Sequence, residues 1–405
     1  MILGVHMSLL IGPTLAVPAP LAITEALASV DVTQTDEGRS GFELTFHVAR
    51  SGPWDLPDYR LLLHPLLRPF NRVIVMVHFN LRPEVLIDGF ITALNLNPSE
   101  EPGGSTLVVT GEDVSVMMDL EEIAFQLPMT AVAQIATVLA KYSILGWVGV
   151  VIDPPPVPDP ALPTREIPTQ NGTDYEYLQE LAAFHGYVFY VRPGPVPNSN
   201  IPFWGRQVPL AALPASLLNS ALSVNMGSDS NVNSIAFTYN AMAPEAVLGE
   251  AVEPTTNAPV PVLFPPISTE LPLALVPAAV NQSGRVRVTR PGPASENQRR
   301  VQRDQARKAV QTARGLTIPQ AYERARARAN DSAKEAVTAT GELDGLRYGG
   351  VLQARSVIGL RGAGGTNDGN YFVKSVTHSI SKGEYKQRFT LRREGVGSNV
   401  PLVRP

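Results

Sequence analysis

Two segments near opposite ends of the chain alternate apolar and polar residues with a period of two. Phe42, Leu44, Phe46 and Val48 are separated by Glu43, Thr45 and His47. Tyr385, Gln387, Phe389 and Leu391 are separated by Lys386 and Arg388, with Arg392 following. Successive strand side chains point to opposite faces, so each segment reads as a half-buried strand. The second would present a strongly basic outer face. A lone strand or hairpin is barely stable in water, so such segments must recruit further strands. Arg72–Phe79 (RVIVMVHF) is apolar on both faces and reads as a central strand. Glu84–Leu94 and Ser105–Thr110 supply two more, with Gly103-Gly104 turning into the last. Leu222 and Val224 lead through a turn at 227–231 to Ile235, Phe237 and Tyr239. Strands over Gly350–Leu360 and Tyr371–Ser381 precede the final one. Several short strands at this spacing predict a barrel or sandwich.

Helical signals are few. Ala131, Ile135, Val138 and Leu139 fall on one helical face, giving about three turns, followed by a strand from Trp147 to Ile152. Thr173 and Glu176 form a T-x-x-E capping box, and Gly186 ends the helix they open. Tyr187–Val191 (YVFYV) is then an aromatic strand. Seven prolines within 153–168 make an extended connector, because each removes a backbone donor. Ten prolines within 244–293 predict a long unpacked excursion. The Ala- and Arg-rich stretch 295–339 predicts two helices divided at Gly315 and Pro319. Their apolar stripes are shallow, so they belong on the outside.

With 44% hydrophobic and 17% charged residues, the 405-residue chain is globular rather than disordered and long enough for two or three cores. It has no cysteine, which excludes disulfides, thiolate metal sites and a cysteine nucleophile. The net charge of −4 hides an asymmetry, since Arg285–Lys334 holds 13 basic against 4 acidic residues. Without interleaved aromatics this excess does not predict nucleic-acid binding. The apolar first twenty residues lack the basic start of a secretory signal and contain Gly12, Pro13, Pro18 and Pro20. They read as a buried or partner-bound extension. Gln134, Lys141 and Gly146 interrupt the other apolar stretch, 129–152, so no membrane span is expected.

No motif for catalysis or metal binding holds. The six histidines have no metal-ligand spacing. Asp229–Asn233 begins like a calcium loop, but Ser234 stands where glycine is needed. Gly359–Thr366 lacks the lysine of a phosphate loop. Asp113, Asp119, Glu121 and Glu122 read as turn and helix-start acids. No catalytic residue, cofactor or metal is expected.

Three stretches in order carry a resemblance: TGEDVSVMMDLEE (110–122), PTQNGTDYEYLQELAAFHGYVFYV (168–191) and GNYFVKSVTHSISKGEYKQRFTLRRE (369–394). Together they resemble the phage late control gene D proteins. These are the tail hub proteins of contractile phages, with relatives in type VI secretion and extracellular contractile injection systems. The resemblance implies a mainly β fold with α+β parts: two tube-like β-barrel domains, a small α/β unit and a helical insertion. It divides the chain into an N-terminal extension (1–20) and a first barrel (21–128). A linking helix, Pro-rich connector and α/β unit follow (129–212). The second barrel (213–243 and 345–395) is split by a Pro-rich and Arg-rich helical insertion (244–344), with a tail at 396–405.

By that resemblance the chain is a non-enzymatic baseplate hub, assembled in the bacterial cytoplasm as a homotrimer. Three chains present six barrels, adapting a six-fold inner tube to a three-fold spike. The expected partners are a separate spike protein, the inner tube or its initiator, and other baseplate components. Charge asymmetry nominates Arg299, Arg300, Arg303, Arg307, Lys308, Arg324, Arg326 and Arg328 as a docking surface for an acidic partner. Rival readings are a tail-associated cell-wall hydrolase, which peptidoglycan zymography would reveal, and a monomeric β-rich binding module.

Overall fold

The computed structural model describes residues 5–48, 59–79, 82–101, 103–126, 128–155, 169–207, 221–240, 242–252, 258–265, 272–277, 307–313 and 318–398. Most of the Pro-rich connector, Arg299, Arg300 and Arg303, and the end of the tail lie outside the described residues.

Among these residues, thirteen strands join into one sheet. The first half supplies β1 (Val5–Gly12), β2 (Val17–Pro18), β3 (Leu27–Thr35), β4 (Gly41–His47), β5 (Arg72–Phe79), β6 (Arg82–Asn97) and β7 (Thr106–Asp113), with helix α1 (Leu21–Ala26) before β3. An α/β unit follows: β8 (Glu122–Gln126), α2 (Ala131–Lys141), β9 (Val151–Ile152), β10 (Thr169–Thr173), α3 (Asp174–His185), β11 (Val188–Pro193) and β12 (Asn200–Gly205). The second half begins with β13 (Leu222–Ser223) and β14 (Val232–Tyr239). It then makes an excursion through β15 (Glu245–Val252), β16 (Pro259–Phe264), β17 (Ala274–Pro277), β18 (Arg307–Ala313) and α4 (Ile318–Lys334). It returns through β19 (Val337–Asp344), α5 (Gly345–Tyr348), β20 (Val357–Arg361), β21 (Gly369–Ser381), β22 (Glu384–Arg393) and β23 (Gly395–Ser398).

The two halves repeat one topology. Neighbouring strands run β3-β4-β7-β6-β5-β1 in the first half and β14-β19-β22-β21-β20-β13 in the second. The repeat extends to its irregularities. Between β3 and β4 the register slips between Leu27 and Ser29, opposite Phe46 and Thr45; between β14 and β19 it slips between Val232 and Ser234, opposite Leu343 and Glu342. Between β6 and β7 it slips at Ile91/Ala93, opposite Gly111 and Thr110; between β21 and β22 at Val373/Ser375, opposite Leu391 and Thr390. Each slip leaves one residue unpaired, the mark of a bulge, and the matched bulges align the repeats residue by residue. One difference is that β1 pairs β5 antiparallel whereas β13 pairs β20 parallel. The repeats join where residues 375–381 of β21 pair antiparallel with 29–35 of β3.

Each repeat has its own core on one side of the sheet. The first packs Val30, Val32, Phe42, Leu44, Phe46, Val75 and Leu107. The second packs Ala339, Leu343, Tyr371, Val376, Phe389 and Leu391. The α/β unit has a third core, in which Trp204 is fully buried among Tyr187, Phe189, Leu178 and Val138. The capping box forms: Thr173 Oγ1 accepts from the Glu176 amide at 3.1 Å and Glu176 Oε2 from the Thr173 amide at 3.1 Å. Gly186 closes α3 with φ 67°, a left-handed conformation that favours glycine.

The structure corrects several sequence expectations. Of the two readings of the N-terminal segment, buried or partner-bound, the first holds, and in a form not expected: Val5–Gly12 is a strand paired along β5 whose apolar residues complete the first core. The excursion is packed: β16-β15-β18 is a sheet, and Ala321, Ala325 and Ala329 of α4 bury against Val247, Ala251 and Val262. Small alanines let the helix approach the sheet closely, so a shallow stripe still builds a core. Arg307–Ala313, read as helix, is a strand parallel to β15. Val337–Asp344, placed in the insertion, is β19 of the large sheet. Leu222–Ser223 pairs β20 rather than its chain neighbour β14. Strand β20, Val357–Arg361, takes up only the last four residues of the expected Gly350–Leu360, and β9 only the last two residues of Trp147–Ile152.

Candidate functional site

The surface on which both repeats converge is the face of the sheet opposite its cores. Register places Ser234, Ala236 and Thr238 of β14 beside Glu342, Thr340 and Thr338 of β19. Thr390 and Arg388 of β22 follow, then Ser375, Thr377 and Ser379 of β21. The row crosses the joint to Thr35, Thr33 and Asp31 of β3, then Glu43 and Thr45 of β4, Thr110 and Val108 of β7, and Ala93 and Asn95 of β6. Eight strands thus share one face made largely of short hydroxyl, amide and charged side chains. Several of its polar groups pair with one another. Arg388 Nε donates to Glu342 Oε2 at 3.0 Å, Ser379 Oγ to Asp31 Oδ1 at 2.6 Å, and the Thr33 and Thr377 hydroxyls lie 3.1 Å apart across the joint. A shallow hollow of about 480 Å³ opens over the second repeat, lined by Thr340, Thr377, Thr390, Glu342 and Arg388. The hollow is broad and open, unlike the enclosed pockets that bury small ligands.

At the end of the joint, a buried ion pair ties one repeat to the other, and partly buried charges extend it. Arg392 Nη2 lies 2.6 Å from Asp36 Oδ2, and Arg392 Nη1 lies 2.7 Å from Glu335 Oε1. Gln207 donates to Asp36 Oδ2 and accepts from Arg392. Lys374, the bulge residue of β21, reaches Glu335 at 3.1 Å. Burial pushes the Asp36 carboxyl up, only partly offset by Arg392. Burial acts the same way on Glu335, but Arg392 and Lys374 outweigh it and hold that carboxyl below its usual range. Arg392, expected on an exposed basic face, is therefore buried.

A second pin fastens the α/β unit to the first repeat. Arg72 donates from Nε and Nη2 to Asp88 Oδ1 and Oδ2 at 2.6 and 2.7 Å. Arg72 Nη2 also donates to the Leu145 carbonyl, and Asn200 donates to Asp88 and to that same carbonyl.

Of the acids 113, 119, 121 and 122, the first two are held by local structural contacts. Asp113 is buried and caps a 3₁₀ turn through the Ser115 amide, Ser115 hydroxyl and Ser40 amide. Asp119 pairs with Arg39 at 2.7 Å and accepts from Thr173. Among the described residues no three His, Cys, Asp or Glu gather as metal ligands. In the phosphate-loop look-alike, Arg393 donates to the Thr366 carbonyl, fastening the loop to β22.

The nominated docking residues divide. Arg307 and Lys308 open β18, with Arg307 opposite Glu245 of β15. On α4, Arg324 is exposed, Arg326 pairs with Glu323, and Arg328 lies 3.7 Å from Glu245. Sequence reasoning missed the polar sheet face, although the pattern was visible in TQT at 33–35 and SVTHSIS at 375–381. The apolar half of each alternation marks a strand; the hydroxyl half marks what the strand shows to its surroundings.

No protein-family model matches the chain, and no curated protein sequence does. Solved structures do. A tail protein from Neisseria meningitidis MC58 superposes with a TM-score of 0.60 at 12% identity, covering 97% of this chain and 98% of its own. The fold is that of a phage tail protein. The 43 kDa tail protein of prophage MuSo2 from Shewanella oneidensis matches equally, at TM-score 0.60 and 14% identity, over 96% of this chain and 99% of that one. A chain of the Francisella PdpA–VgrG complex matches at TM-score 0.55 and 9% identity; all but 1% of this chain aligns, over 60% of that chain. The tail-protein fold accounts for the mainly β architecture, and at such low identity it is carried by strand order and register, not by shared side chains.

Proposed function

We propose that the chain is a structural component of a phage-type tail or contractile injection particle, of the late control gene D kind: the central hub of the baseplate. Three copies place six sheet repeats around one channel, adapting a six-fold inner tube to a three-fold spike carried by a separate protein. The observation that supports this best is the repeated strand order within one sheet whose polar face runs unbroken across both repeats. A six-fold lining from three chains needs two equivalent modules per chain. The hub works by surface complementarity, without catalysis. Assembly takes place in the bacterial cytoplasm.

In this reading the basic residues of the excursion, Arg299, Arg300, Arg303, Arg307, Lys308, Arg324, Arg326 and Arg328, meet an acidic baseplate component. Reversing four of them and still recovering intact particles would remove that contact from the proposal. The hub itself is tested by isolating tagged chain from particle-producing cells. Light scattering should give three times 43.6 kDa, and negative stain should show label at one end of tubes. A monomer recovered without tube or spike would overturn the hub.

A further inference from the structure

Strand register brings together residues that spacing along the chain does not reveal. In the β1–β5 pair His6 stands directly opposite His78; on the same face Ser8 stands opposite Met76, and Leu10 opposite Ile74. Leu9 and Ile11 of β1 and Val73, Val75 and Val77 of β5 point the other way, into the first core. The two imidazoles therefore share the outer face of the sheet. Directly opposed side chains of an antiparallel pair have Cβ atoms about 5 Å apart. Two imidazoles at that separation can reach one ion at about 2 Å each.

The surroundings of the pair favour ligation. Ser8 Oγ lies 2.9 Å from His78 Nε2. With Nε2–H donating to that hydroxyl, Nδ1 keeps its lone pair, and the ring is oriented by a neighbour that is not itself a ligand. His6 is exposed, and its side chain has no hydrogen bond or ion pair among the described residues. Beside the histidines Ile74 and Met76 are buried, with Leu10 and Val85 against them, which fixes the strands that carry the two rings. The pair also sits where β1 is held from one side. Strand β2 reaches β1 only at Leu10 and Ile11, so from Val5 to Ser8 its one strand partner among the described residues is β5.

We propose that His6 and His78 bind one late first-row divalent metal ion, copper(II) most tightly, and that the ion clasps the N-terminal end of β1 to β5. Imidazole nitrogen suits copper, nickel and zinc, and of these copper(II) stands highest in the general order of affinities. The two nitrogens fill part of the coordination sphere and water fills the rest. An ion that binds the folded sheet and not the unfolded chain stabilises the fold by mass action. The site goes beyond the hub reading and stands or falls without it.

The test uses the full chain without an oligohistidine tag. The sequence has no cysteine, so no thiolate competes for the metal. Calorimetric titration with copper(II) in a non-chelating buffer should show one site per chain at micromolar concentration, with nickel(II) and zinc(II) bound more weakly. His6→Asn and His78→Asn should each weaken copper(II) binding by about tenfold or more, and Ser8→Ala by about tenfold, the scale for loss of an orienting partner. His47→Asn, at an exposed position of β4, should bind as wild type does. Excess copper(II) should raise the unfolding temperature of the wild-type chain by a few degrees and leave that of H6N unmoved. Because His6 is exposed, H6N keeps the test decisive even where H78N fails to fold. Copper(II) binding that H6N leaves unchanged is adventitious and overturns the site. A wild-type chain that takes up no copper(II) at micromolar concentration overturns it as well.

Discussion

Arg392 and Asp36 form a buried ion pair across the joint between the two sheet repeats, at 2.6 Å, with side chains almost wholly excluded from solvent. One comes from the last long strand of the second repeat, the other from the turn after β3. The pair is extended by Glu335 and Gln207, so residues from three other parts of the chain meet at one guanidinium, and Lys374 reaches the same Glu335. Such a pair adds little relative to apolar packing, yet removing one partner strands a buried charge.

Arg392→Leu should therefore destabilise the fold by about 3–5 kcal/mol. Urea denaturation of wild-type and variant chains checks this. A loss under about 1 kcal/mol, the scale of a surface pair, would mean that the joint relies on strand pairing alone.

Arg72 and Asp88 should behave as a coupled unit. Arg72→Met leaves Asp88 buried with only Asn200 as a side-chain donor and should cost about 3–5 kcal/mol. The double variant R72M/D88L should be less damaging than the sum of the single changes. A double-mutant cycle from denaturation midpoints measures that coupling, and additive effects would remove the pin from the account.

Thr173→Ala removes the acceptor for the Glu176 amide and the donor to Asp119 Oδ1. The expected loss is about 1 kcal/mol, with Thr173→Ser retaining most of the stability. Thermal unfolding of both variants separates the hydroxyl from the methyl group.

His378 is fully buried beneath the polar face, with Nδ1 2.9 Å from the Tyr385 hydroxyl. Burial lowers its pKa to about 3 from an ordinary value near 6.5. Between those values the unfolded chain binds a proton that the folded chain refuses. Stability contributed by His378 is thus present above pH ~6.5 and lost as pH falls toward 3. The slope is about 1.4 kcal/mol per pH unit. His378→Leu should flatten the acid limb of the stability profile by that amount. Raised carboxyls such as Asp113 slope the other way and are common to both proteins, so the difference between profiles isolates the imidazole. Parallel profiles would refute the assignment.

Local features were legible in the sequence wherever neighbours in the chain decide them. Arg72–Phe79, apolar on both faces, and Glu384–Arg393, alternating, are strands with the bounds their patterns suggest. The capping box at Thr173 and the left-handed Gly186 follow from backbone chemistry within a few residues. Arg307–Ala313 failed because helix propensity in a Lys-, Arg- and Ala-containing run is a weak preference, and pairing beside β15 overrides it. Arg392 failed because alternation assigns a face but does not reveal whether that face meets solvent or the buried carboxylate of Asp36.

The repeat was invisible in the sequence for a related reason. Equivalent positions such as Phe42 and Ala339, or Gly111 and Leu391, differ in size and type; they share a place in a hydrogen-bond ladder. The long excursion between β14 and β19 also separates halves that pair directly in space. The sequence by itself determined most strands of the large sheet, the start and end of α3, and that the chain is β-rich. Only the tertiary structure decided that two strand sets repeat, which of their edges are filled, and that one polar face spans them. Strand identity is written in neighbouring residues, whereas strand order and register depend on contacts between residues far apart in the chain.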